Sequence, residues 1–224
     1  MHCERVLKTQ TLVAIIAMNN PKEIVKKGYD SLSVNYREHF NESHNENYKK
    51  WVQTLLDLLP NNPSILELGC GDGIPIAQLI SKNCKYFGVD ISPVQIENAQ
   101  KNVRNVIFMV KDMTSLTYPA NSFDGIIALY SIIHIPLDEQ YGLLQKIFQW
   151  LQPNGFFLCT VGAKKWTGTE DDWILKDITM YWSHADTVTY SDWFEKIGFG
   201  NLEIEFIPEN DGGHTLFLLK KNGN

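Results

Sequence analysis

The chain is short of paired cysteines, of long apolar runs and of clustered positive charge, and each shortage removes a class of protein. Its 224 residues hold four cysteines, Cys3, Cys70, Cys84 and Cys159, with no C-x-x-C pair and no cysteine–histidine group at zinc spacing. That pattern points away from a disulfide scaffold or zinc domain and toward reduced thiols in a cytoplasmic protein. No stretch approaches the ~20 apolar residues that cross a bilayer, so no membrane partner is expected. The lysine pairs at 26–27, 49–50, 164–165 and 220–221 are scattered and the net charge is −6. A nucleic-acid-binding surface has the opposite footprint. Repeats and low-complexity tracts are also missing. At 44% hydrophobic content the length suits one well-buried α/β domain and not two.

What the chain does have is a glycine turn. Ile65, Leu66 and Leu68 form an apolar run that ends in Gly69, Gly71 and Gly73, after which Ile76, Leu79 and Ile80 recur at helical spacing. Strand, glycine turn and helix open a nucleotide-binding α/β unit. Without Cβ atoms the turn can take positive φ, and a ligand can lie against bare backbone. The spacing G-x-G-x-G differs from the dinucleotide fingerprint G-x-G-x-x-G, and two acids flank it, Glu67 and Asp72. Carboxylates repel a phosphate but attract an ammonium or a sulfonium. A second apolar run, residues 86–90, ends in Asp90 about twenty residues past the turn, where such folds grip ribose hydroxyls.

Glu67-Leu-Gly-Cys-Gly-Asp-Gly73, then Gly88-Val-Asp-Ile-Ser92, then Val110-Lys-Asp-Met113 resemble the successive motifs of class I S-adenosylmethionine-dependent methyltransferases, in the small-molecule group of type 11/25. The likeness runs from about Tyr29 to Lys220. It implies S-adenosylmethionine as cofactor and S-adenosylhomocysteine as product. The implied cofactor-binding residues are Glu67, Gly69, Cys70, Gly71, Asp72, Gly73, Asp90, Ile91, Gln95, Asp112, Met113 and Tyr130, with Asp112 receiving the adenine amino group and Met113 packing on the ring. The implied fold is a doubly wound, seven-stranded, mostly parallel α/β sheet, Rossmann-like, with an antiparallel last strand. A closing hairpin, with strands near 202–206 and 214–219, agrees with that independently of the glycine turn. The apolar residues Leu202, Ile204 and Phe206 alternate with Glu203 and Glu205, the pattern of a half-exposed strand.

Residues 1–20 read as an N-terminal extension. Arg5 and Lys8 before the apolar run 11–18 faintly resemble a signal peptide, but the cofactor is an intracellular metabolite, and Met18 is the expected functional start. Residues 21–60 read as a helical cap or lid, with residues 41–47 a polar loop, and residues 61–224 as the methyltransferase domain. Lys27-Gly-Tyr-Asp-Ser-Leu-Ser-Val-Asn-Tyr36 resembles the Y-D-x-x-A-x-x-Y segment that small-molecule methyltransferases lay over the cofactor, so Tyr29 and Tyr36 are candidates to line the site; amphipathic helix packing explains their spacing equally well. Ser92 is expected to cap a helix with Gln95 completing a capping box, and Asp138 to cap the helix after residue 136.

Chemistry in such sheets sits beyond the carboxyl ends of the strands. There the chain reads Ala128-Leu-Tyr-Ser131 in place of the D/N/S-P-P-Y/F of nucleic-acid amino-methylases, which argues against base methylation. His184 and His134 are the candidate general bases, with His214 and Tyr181 behind them. Residues 162–188 form an insertion read as a long loop over the substrate, with a surface helix through Trp173, Ile174 and Ile178 as the alternative. With Ser131, its residues Trp166, Tyr181 and Trp182, and His214 beyond it, complete the candidate substrate pocket. No metal-binding carboxylate cluster is visible. The expected activity is metal-independent methyl transfer to an O, N or S atom of a small molecule by a cytoplasmic monomer or homodimer. The alternatives are a protein or nucleic-acid methyltransferase and a catalytically silent regulator that binds the cofactor.

Overall fold

The computed structural model describes residues 20–32, 42–209 and 212–223. Tyr36 and residues 1–19 of the N-terminal extension therefore lie outside the described residues. Seven strands form one sheet in the order β3-β2-β1-β4-β5-β9-β8: β1 Ser64–Leu68, β2 Lys85–Asp90, β3 Ile107–Val110, β4 Phe123–Ala128, β5 Leu151–Gly162, β8 Phe199–Glu209 and β9 Gly212–Lys221. The first five are parallel to one another, and β9 runs antiparallel to both β5 and β8. The doubly wound order and the antiparallel last strand match the expected class.

Helices cover both faces, because β1 and β4 are apolar on both sides. Helices α2 (Glu42–Leu56), α3 (Ile76–Ile80) and α4 (Pro93–Asn102) share one buried cluster, with Trp51, Leu55, Ile80 and Ile96 against Ile65 and Ile127. Helices α5 (Leu137–Trp150) and α6 (Thr187–Ile197) share the other, with Leu144, Ile147 and Phe194 against Leu66, Ile126 and Phe157. Helix α1 (Pro21–Leu32) belongs to neither layer and packs on α4 and on the strand β7 (Met180–His184).

Several local expectations are corrected. Residues 42–47 are helical, not loop. The buried stripe Trp51, Val52 and Leu55 draws the polar stretch before it into the same helix, helped by an i,i+3 ion pair between Glu46 and Lys49. Residues 166–184 form no helix, and only 171–179 are loop. They fold as a separate antiparallel hairpin, β6 Trp166–Glu170 with β7 Met180–His184. Its anchor is Ser183, buried, whose hydroxyl accepts from the Leu137 amide at the start of α5. Pro136, not Asp138, stands at the N-cap of α5, and no side chain caps it. Ser92 does cap α4, accepting from the Gln95 amide. The Gln95 side chain turns away to the Tyr29 carbonyl, so no reciprocal capping box forms. In β8 the expected alternation is inverted. Leu202, Ile204 and Phe206 are 52%, 48% and 56% exposed while Glu203 and Glu205 are half-buried. A bulge between Asn201 and Glu203 resets the register on this edge strand.

Gly28 is where α1 meets β7. A Cβ there would sit 2.7 Å from the Met180 methyl and 3.2 Å from the Thr179 carbonyl oxygen. Gly28→Val is expected to lift α1 from the hairpin at a cost of ~1–3 kcal/mol from overpacking. Hydrogen exchange checks this: protection falls across residues 21–32 while the β1 and β4 amides keep theirs.

Candidate functional site

At the carboxyl edge of the sheet lies a cavity of 240 Å³. Its floor is the glycine turn after β1. The Gly69 and Cys70 amides both donate to the Val89 carbonyl, which folds the turn back over β2. Gly69 has φ +79°, and a Cβ on it would meet the Ser131 Cβ at 2.3 Å. Gly71, also at positive φ, has only Gln95, 3.9 Å from where its Cβ would be, so its bare backbone fronts the cavity. Gly73 stays out of the lining, because it packs against Phe108, Ala99 and Val103.

Three acids from three strand ends converge here, as the parallel register requires. Asp90 accepts from the Gly71 amide (2.9 Å) and the Ser92 amide (2.9 Å), and burial pushes its carboxyl up to about 6 against those two donors. Glu67 is buried at the end of β1, with the Tyr86 hydroxyl donating to its Oε2. Burial first, then the charges of Asp90 and Asp72, push it up to about 8 against that one donor. Among the described residues no cation pairs with Glu67. Asp112 follows β3 and accepts from the Thr114 amide and the Lys22 ammonium, at 2.9 and 2.8 Å. Burial raises its carboxyl, but Lys22 and Thr114 outweigh burial and hold it below the usual range.

Lys22 was not legible in the sequence. It reaches from the first turn of α1 to Asp112, to the Thr114 hydroxyl (2.7 Å) and to Glu139 of α5 (2.5 Å). At the other end of α1, Asp30 accepts from the Ser92 hydroxyl at 2.6 Å. The helix is thus strapped across the cavity at both ends. Tyr48 of α2 also lines it and was missed; extending the Trp51 stripe back one turn would have found it, had residues 42–47 been read as helix.

Of the candidate bases, His134 faces the cavity and His184 does not. His134 Nδ1 lies 2.8 Å from the Tyr181 carbonyl oxygen, which only accepts, so Nδ1 carries the proton. Nε2 is then an acceptor, and the Tyr29 hydroxyl donates to it at 2.9 Å. Burial drives the imidazole down to about 4, so the ring is neutral at physiological pH. His184 packs instead against Gly162, the last residue of β5, beside the Ala185 carbonyl. The insertion's aromatics are likewise outside the cavity. Trp182 lies tilted behind His134 (4.5 Å between ring centres), Tyr181 contributes its carbonyl, and Trp166 is 44% exposed on the outer strand. His214 sits behind Tyr130 (5.0 Å) with Nδ1 3.1 Å from Glu209. Tyr29, Tyr130, Ser131, Ile91, Gln95, Cys70, Asp72 and Met113 do line it. Among the described residues no group of three His, Cys, Asp or Glu could hold a metal ion.

A doubly wound sheet with an acid at each of three successive strand ends around a glycine turn defines a nucleoside-binding enzyme fold. Residues 65–155 match a family model described as a methyltransferase domain, and over that segment the chain is similar to S-adenosylmethionine-dependent methyltransferases. Aklanonic acid methyltransferase DauC of Streptomyces sp. (strain C5) is 36% identical over 80 residues, 32% of this chain and 36% of that protein. An uncharacterized RNA methyltransferase of Leptospira interrogans is 33% identical over 110 residues, 47% of this chain and 26% of that protein. This chain thus aligns with 36% of the length of the first and 26% of the length of the second. In fold it is similar to magnesium protoporphyrin IX methyltransferase from Synechocystis PCC 6803, solved with bound S-adenosylmethionine, with a TM-score of 0.69 at 16% identity over 91% of this chain and 98% of that one.

The family's cofactor fits what the cavity offers. A buried carboxylate with no cation on it among the described residues suits the ligand's ammonium, and open backbone at Gly71 gives it a place to lie. Binding an ammonium beside Glu67 favours the ionised carboxylate, so S-adenosylhomocysteine is expected to release a proton on binding at pH 7. Affinity should fall as pH drops below about 8, by up to ~10-fold per unit. Calorimetry in buffers of different ionisation enthalpy measures both.

Proposed function

We propose that this protein methylates an O, N or S atom of a small molecule, in the cytoplasm, with S-adenosylmethionine as donor and no metal. The observation that carries the reading is the Tyr29–His134 pair, an uncharged hydrogen-bonded wall in the same cavity as Glu67, Asp90 and Asp112. When bound, the cofactor supplies an electrophilic methyl group on a positively charged sulfur. Glu67 and the glycine turn are the groups to hold its amino-acid end, Asp90 its ribose, and Asp112 with Met113 its adenine.

The chain's task at the other end is to align a nucleophile and keep water away, and alignment alone accounts for ~7–11 kcal/mol in favourable cases. A neutral imidazole near 4 is too weak a base to strip an alcohol or amine beforehand. Its work is to fix Tyr29, and to sit near the acceptor when methylation has made the acceptor's own proton acidic. The cavity's aromatic and aliphatic lining (Tyr29, Tyr48, Tyr130, Val25, Ile135) suits a compact organic acceptor. Aklanonic acid methyltransferase and the protoporphyrin enzyme, similar in sequence and in fold, are named for small molecules. The RNA methyltransferase relative keeps a macromolecular acceptor as the second reading, against which stands a net charge of −6.

Incubating the protein with methyl-labelled cofactor and a cell extract tests this directly. Label should appear in the low-molecular-mass fraction; label in RNA or protein overturns the acceptor class. With an acceptor in hand, Tyr29→Phe and His134→Ala are each expected to lower kcat by ~10–100-fold, the scale of a misplaced reactant, while S-adenosylhomocysteine binding changes little. His184→Ala should leave turnover unchanged across pH 6–9, and chelator should leave all activity intact.

A further inference from the structure

Behind the cavity floor, Tyr86 stands one strand over from Glu67. In the parallel pairing of β1 with β2, Ile65 faces Tyr86 and Glu67 faces Gly88. Residues two apart on a strand share a face, so Tyr86 is the diagonal neighbour of Glu67, a separation of ~7–8 Å that an aromatic side chain spans. Gly88 makes the reach possible. A Cβ there would sit 2.6 Å from the Phe108 ring and 3.0 Å from Cys70 Sγ, and the space is taken by Phe108, on whose edge the Tyr86 ring rests at 5.9 Å. The Tyr86 hydroxyl, in a side chain 5% exposed, donates to Glu67 Oε2.

Resting on the cofactor reading above, we infer that Tyr86 is a positioning residue for cofactor binding, whose buried phenol holds the Glu67 carboxylate at the angle and charge that receive the ligand's ammonium. The groups that face Glu67 are Tyr86 and Asp90 from β2 and Cys70 and Asp72 from the glycine turn. Three of these are acids or a thiol that oppose its ionisation. Among the described residues the phenol alone favours it, and burial raises the phenol's own pKa so far that it stays a donor. A lysine in this place would neutralise the carboxylate and compete with the ligand for it. An uncharged donor supports the negative charge and leaves it available.

The test is the pH profile of S-adenosylhomocysteine binding, measured by calorimetry from pH 6 to 9 on the whole chain. In the wild type, affinity rises with pH and levels near 8. In Tyr86→Phe, which keeps the ring on Phe108, the rise is expected about one pH unit higher, so that binding is ~10-fold weaker at pH 7 yet within a few-fold of wild type at pH 9. Glu67→Asp leaves Tyr86 in place but shortens the carboxylate beyond its reach, and should show the same upward shift; it serves if Tyr86→Phe does not fold. Glu67→Gln should flatten the profile, and adding Tyr86→Phe to it should cost nothing more. A loss of equal size at every pH, or no loss, in both Tyr86→Phe and Glu67→Asp overturns the inference and leaves the cofactor reading standing. If the wild type binds no S-adenosylhomocysteine at any pH while Tyr86→Phe folds normally, the cofactor reading itself is wrong and this inference falls with it.

Discussion

Asp90 is the carboxylate on which the site depends. Its two oxygens accept from the Gly71 amide and the Ser92 amide, so one side chain ties the glycine turn after β1 to the start of α4. Both amides belong to backbone with few other partners: one sits in a turn at positive φ, the other at a helix N-terminus. A buried carboxylate that takes two such donors satisfies itself and them together, which is why burial lifts its pKa to only about 6. With the turn fixed, Gly71 presents bare backbone to the cavity, and Gly69 can close to within contact of Ser131 at the end of β4. The positions of Glu67 and Tyr130 follow from that closure.

The insertion has a different job from the one its aromatic content suggests. Trp173 and Trp182 pack around His134 and Tyr29 from behind, and the Tyr181 carbonyl fixes the imidazole tautomer. Gln140, fully buried, donates to the carbonyls of Ile135 and Ser183 and so welds the hairpin to the turn that carries His134. The hairpin is a brace. The wall that meets the ligand comes from α1 and from the ends of β1, β2 and β4, and the tryptophans keep that wall from shifting.

Most of the sheet was readable because its strands are short apolar runs bounded by glycine, proline and asparagine, and the three acids because each ends such a run. What escaped reading was of two kinds. Some partners are remote: Lys22 and Asp112 are 90 residues apart, Tyr29 and His134 are 105 apart, and no local pattern links them. Others are backbone, and the carbonyl that orients His134 has no signature in any side chain. The two histidines could not be ranked for the same reason, since the contacts that place them, His134 with the Tyr181 carbonyl and His184 with Gly162, leave no local pattern. The inverted face of β8 shows a third limit. Alternation tells that two faces differ, but a bulge decides which one is turned outward.

Helix α1 closes the cavity by polar contacts that are cheap to break. Lys22 and Asp112 keep 19% and 29% of their side chains exposed and Glu139 keeps 39%. Ion pairs that are open to water typically contribute only ~0.2–1 kcal/mol each, since solvent replaces what is lost. The helix buries three residues, Val25, Gly28 and Leu32, one of them without a side chain. By contrast, the helices on the two sheet faces are held by continuous apolar clusters. A ligand as large as an adenosyl amino acid has to pass some element to reach Glu67 at the bottom, and elements that open for ligands come from the weakly held end of a fold. Of the helices that line the cavity, α1 has its buried side chains outside both clusters, and Lys22 bridges it to Asp112.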